Sequence, residues 1–126
     1  MNPDEISILM VDDDSMVRDM IAFILESNDY VVETAGDGLE ALEKYKARPT
    51  HVIITDMNMP EMDGLALIKE LRRTDSDVAI ILLTGNDDTQ TLGIGVDECI
   101  AKDENISDTI VATVDAVIKK KKGLMG

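Results

Sequence analysis

The chain has 126 residues, 44% of them hydrophobic and 30% charged, with a formal net charge of −14. This length and balance suit one soluble globular domain, and so much negative charge excludes direct binding to a nucleic-acid backbone while remaining compatible with cations. The single Cys99 excludes an internal disulfide and suits a cytoplasmic setting, and no apolar run approaches the ~20 residues that insertion across a bilayer requires.

Ile6 to Val11 is an apolar run that reads as a first strand and ends at Asp12-Asp13-Asp14-Ser15. Val17, Met20, Ile21, Ile24 and Leu25 follow at helical spacing, with Asp14 or Ser15 placed to cap the first turn. Tyr30 to Thr34 is a second strand by its β-branched content, and Gly36-Asp37-Gly38 is a turn. A helix then runs from about Leu39 to Ala47, closed by Pro49. His51 to Thr55 forms the third strand and delivers Asp56 to its end, and Asp63 is placed to cap the helix that uses Leu67, Ile68 and Leu71. Val78 to Leu83, apolar throughout, is a fourth strand buried on both faces. Asp97 to Ala101 is a weaker fifth strand ending at Lys102, and Ile110, Val114, Val117 and Ile118 mark a C-terminal helix with Lys119 to Lys122 at its solvated end.

Strands that alternate with helices and short connections predict an α/β fold. The expected form is a doubly wound five-stranded parallel sheet of order 2-1-3-4-5, a flavodoxin-like three-layer sandwich. Residues 5–119 make its core, and 120–126 read as a tail or the stub of a linker. In such a sheet the C-terminal strand ends lie side by side. Asp12 and Asp13, Asp56, Thr84 and Lys102 can therefore converge in one crevice. Crowded carboxylates repel unless a divalent cation joins them, and an oxygen-only set without His or Cys favours Mg²⁺. A Thr hydroxyl and a Lys ammonium can hold phosphoryl oxygens, and Gly85 leaves room for that group to enter.

Ile8 to Ser15, Asp56 to Gly64, Leu82-Leu83-Thr84-Gly85 and Lys102 together resemble the receiver domain of two-component response regulators, over about residues 5 to 119. The closest variety is the stand-alone, chemotaxis-type receiver. The resemblance implies that Asp56 accepts a phosphoryl group from a phosphohistidine of a sensor histidine kinase or histidine phosphotransfer protein. It also implies that Asp12, Asp13, Asp56 and the backbone carbonyl of Asn58 place Mg²⁺. Lys102 would pair with Asp56 and then with the phosphoryl, and Thr84 would move toward the phosphoryl as the switch that alters a surface for a downstream protein target.

Three positions depart from that family. Cys99 stands where receivers usually carry an aromatic ring or His, and it reads as a small apolar strand residue. Asp103 replaces a Pro often joined by a cis bond, so a trans bond is expected after Lys102. The polar segment from Thr84 to Gly95 is about one turn short, which predicts a shortened or irregular helix between the fourth and fifth strands. The competing readings are a Mg²⁺-dependent haloacid-dehalogenase-like phosphatase built on Asp12-x-Asp14, a flavodoxin-like electron carrier, and a pseudo-receiver that only docks.

Overall fold

Short runs of β-branched and aliphatic residues set the layers. The computed structural model describes residues 5–57, 59, 61–74, 77–85 and 95–125, with side chains through 121 in the last helix. Five strands appear in it: β1 (Ser7–Val11), β2 (Val31–Ala35), β3 (Val52–Asp56), β4 (Ala79–Thr84) and β5 (Glu98–Ala101). They form one parallel sheet in the order β2-β1-β3-β4-β5, the order expected from the sequence. Helices α1 (Ser15–Glu26), α2 (Gly38–Ala47), α3 (Gly64–Thr74) and α4 (Ile106–Met125) cover the two faces.

Strand side chains alternate between faces, so one sheet supplies two cores. Ile8, Met10, Ile54, Ile81 and Leu83 pack with Ile21, Leu25, Ile110 and Val114 of α1 and α4. Leu9, Val11, Ile53, Ile80 and Leu82 face the other way, onto Ala41, Tyr45, Leu67 and Leu71 of α2 and α3. β4 is buried along its whole length, as its unbroken apolar run requires. The sheet's edges are β2 and β5, which carry Glu33 and Glu98.

Local chemistry fixes the helix starts. Asp14 caps α1, its Oδ1 accepting from Met16 N at 3.0 Å and Val17 N at 3.3 Å. Asp63 does the same for α3 through Ala66 N at 2.9 Å. The expected turn at Gly36-Asp37-Gly38 is tighter than the sequence suggests: Asp37 is the cap, and Gly38 is already the first residue of α2. At the other end α4 continues through 120–125, where a tail was expected. Among the described residues no peptide bond is cis, so Lys102–Asp103 is trans. The expected irregular helix falls on 86–94, outside the described residues. No described helix is long and apolar enough to cross a membrane.

Candidate functional site

Register brings the acids together. Val11 pairs with Thr55, so Asp12 and Asp56 follow neighbouring strand positions at the same end of the sheet. Asp12 is wholly buried, Asp56 is 8% exposed and Asp13 faces solvent. One carboxylate oxygen from each of Asp12, Asp13 and Asp56 lies within 4.8 Å of the others. Backbone donors orient two of them: Asp14 N donates to Asp12 Oδ1 and Met57 N to Asp56 Oδ1, both at 2.9 Å.

Lys102 enters from β5. Its N–H donates to Thr84 O at 2.7 Å, which extends the β4–β5 pairing by one residue and directs the side chain inward. The ammonium Nζ sits 2.7 Å from Asp12 Oδ2 and 3.2 Å from Asp56 Oδ1. The resemblance gave Lys102 to Asp56; here the shorter contact is to Asp12. Asp12 Oδ2 accepts no hydrogen bond of good geometry, so this ion pair is its main compensation among the described residues.

The electrostatics follow. Burial raises the Asp56 pKa, the Asp12 charge raises it further, and Lys102 and the Met57 N–H only partly oppose this. Burial works against the Lys102 ammonium, but its bonds to Asp12 and Asp56 outweigh that and raise its pKa. Among the described residues, two of the three carboxylates, Asp12 and Asp56, thus share the Lys102 ammonium. An all-oxygen set at this spacing, with a fully buried and poorly satisfied oxygen at Asp12, fits a hard divalent cation.

The remaining expected residues are placed as follows. Thr84 is 5% exposed at the end of β4, one position beyond Leu83, which pairs with Asp56. Gly85 is exposed, and a Cβ there would meet nothing within 4 Å. Cys99 is half-buried in β5 against the α2–α3 core, as a small apolar residue would be. Asn58 lies outside the described residues. Asp14 is committed to capping α1, which removes it from the acid set. Sequence reasoning missed Arg18, whose Nη1 donates to Asp12 O at 3.4 Å. Its place one helical turn after Asp14 is the only signal that pointed there.

The family of response regulator receiver domains matches residues 8–115. The chain belongs to that family. Receiver domains are phosphotransfer and signalling modules, not enzymes turning over a separate substrate. Response regulator MprA of Mycobacterium ulcerans is 34% identical over 121 residues, covering 93% of this chain and 52% of its own length. The transcriptional regulatory protein CpxR homolog of Haemophilus influenzae is 33% identical over 117 residues, 90% of this chain and 50% of its own. The chain therefore spans about half the length of the curated relatives it matches. Among solved structures, chemotaxis protein CheY4 of Vibrio cholerae superposes with a TM-score of 0.84 at 32% identity, covering 90% of this chain and 98% of that one. TrrA of Thermotoga maritima, solved in complex with Mg²⁺–BeF, gives 0.81 at 31% identity over 88% of this chain and 97% of its own.

Proposed function

We propose that this receiver takes a phosphoryl group onto Asp56 from a phosphohistidine of a sensor histidine kinase or histidine phosphotransfer protein. The observation that carries the reading is the three-acid cluster, two of whose members, Asp12 and Asp56, share Lys102. An oxygen of the Asp56 carboxylate attacks phosphorus, the P–N bond to imidazole breaks, and its electron pair leaves with the ring. Asp12 and Asp13, with Asp56 and the Asn58 carbonyl, would hold Mg²⁺, which when bound neutralises charge developing on the phosphoryl oxygens. Lys102 holds a second phosphoryl oxygen. Thr84 turns toward the third and so biases the loops after β3 and β4, and Gly85 keeps that side open. The half-buried Cys99 sweeps too little area to follow Thr84 as a ring would.

A phosphatase centred on Asp12-x-Asp14 is disfavoured because Asp14 is spent on the helix cap. Docking of the donor is supported by α1. Met16, Met20 and Phe23, 82%, 41% and 71% exposed, form an apolar stripe that starts three residues after Asp13.

Incubation with acetyl phosphate and Mg²⁺, followed by intact mass, tests the reading. One base-labile phosphoryl is expected, absent in Asp56→Asn. No gain, or a gain that survives the substitution, refutes it. Phe23→Glu should slow transfer from a phosphorylated histidine kinase domain and leave acetyl phosphate uptake unchanged; equal rates from the kinase would remove α1 from the donor interface.

A further inference from the structure

The loop that leaves Asp56 for α3 is held at two points. Gly64 N donates to Met57 O at 2.9 Å, and Gly38 N, from the first turn of α2, donates to Met62 O at 3.2 Å. A Cβ at Gly38 would lie 2.4 Å from Met62 O and 2.8 Å from Met62 Cβ and Cγ. The nearest of these atoms is backbone, so one side chain carbon would force α2 or the loop to move. Gly38 does not have a positive φ; among the described glycines only Gly95 does. Space, not torsional freedom, is what requires glycine here.

Two further features bear on how the loop is held. Asp37 caps α2 by accepting from Glu40 N at 2.8 Å, which makes the Gly38 N–H one of the helix-start donors with no intrahelical partner and aims it at Met62. Glu61, immediately before Met62, has φ of 68°, a left-handed conformation that a non-glycine residue keeps only where its surroundings impose it. At the loop's other end Met57 donates to Asp56 Oδ1. The placement of the loop is therefore linked to the placement of the acceptor carboxylate.

We propose that Gly38 is a positioning residue for the phosphoryl site: its bare α-carbon seats Met62 and thereby fixes the loop that orients Asp56 and carries Asn58. The inference rests on the reading of that site as one that binds Mg²⁺ and accepts phosphoryl. Gly38→Ala moves the loop without touching any of the acids.

The test is Mg²⁺ titration of the unphosphorylated protein followed by NMR, beside thermal unfolding of the same samples. Gly38→Ala is expected to weaken Mg²⁺ roughly tenfold, as lost support of a ligand commonly does. Val117→Ala, which thins the α1–α4 core on the other face of the sheet, should lower stability and keep Mg²⁺ affinity within about twofold. Asp37→Ala releases the same contact without adding an atom and should also weaken Mg²⁺, by about twofold or more. It carries the test should Gly38→Ala not fold. A folded Gly38→Ala with wild-type affinity overturns the proposal, as does wild-type affinity in folded Asp37→Ala or an equal loss in Val117→Ala. A wild-type chain that binds no Mg²⁺ and takes no phosphoryl overturns the site reading and this inference together.

Discussion

The two ends of this sheet treat charge in opposite ways. At the N-terminal end, Arg72 of α3 donates to Gly95 O and Val78 O, each at 2.7 Å, and to Asp97 Oδ2 at 3.2 Å. Asp97 Oδ2 also accepts from Ile80 N at 2.8 Å, and Lys121 of α4 lies 3.4 Å from Oδ1. One carboxylate there meets two cations and a peptide donor. At the C-terminal end three carboxylates gather, and among the described residues Asp12 and Asp56 share one ammonium, that of Lys102. The first arrangement is complete without anything added. The second is deficient in positive charge, a deficit that the proposed divalent cation would fill.

Three measurements can break or sharpen the contrast. The largest effect belongs to Arg72→Ala. It takes one of two cations from half-buried Asp97 and the guanidinium donor from two carbonyls, and should cost about 3 kcal/mol in urea denaturation while Mg²⁺ affinity stays within about twofold. A comparable loss of Mg²⁺ binding would show that the two ends are not separate. Lys102→Met should cost about 2 kcal/mol without Mg²⁺, and added Mg²⁺ should recover most of it, because a cation can replace the missing charge. No recovery would mean the acids do not bind the ion as a group.

The smallest effect carries the opposite sign. Asp56→Asn removes a buried like charge beside Asp12 and should stabilise the metal-free protein by about 1 kcal/mol near neutral pH. Because the folded pKa of Asp56 is raised, its proton is held more tightly in the folded state. Its contribution to stability is full below the ordinary carboxylate value of 3.8 and is lost as pH rises through the folded value. The gain in Asp56→Asn should therefore shrink toward zero as the pH falls below 3.8. A gain that persists in acid would assign it to something other than charge.

These two ends were unequally legible in the sequence. The strands were legible to within a residue because each is a short run dominated by aliphatic or β-branched residues, and Asp12, Asp56, Thr84 and Lys102 stood out because chemistry-bearing residues lie at the C-terminal ends of those runs. Arg72 and Asp97 lie 25 positions apart on different elements, and nothing in local spacing joins them. Asp97 read as the start of β5; it lies just outside the strand, and its carboxylate closes the clasp instead. Lys121 read as a solvated helix end for the same reason. Gly38 read as a turn residue because glycine beside Asp usually is one, whereas its role depends on Met62, a contact set by how α2 packs. The family resemblance also paired Lys102 with Asp56, and only the three-dimensional site shows its shorter contact with Asp12.

The acids at the sheet's two edges have a consequence for how copies of this molecule meet. An edge strand offers unpaired peptide groups to any matching strand, including one from an identical neighbour. Glu33 on β2 and Glu98 on β5 place a negative charge on each open edge of a molecule whose net charge is already −14. Two copies approaching edge to edge bring like charges together before they form a single ladder bond. Repulsion within a Debye length should therefore oppose the joining of sheets in crowded solution, and acid or high salt should weaken that protection first.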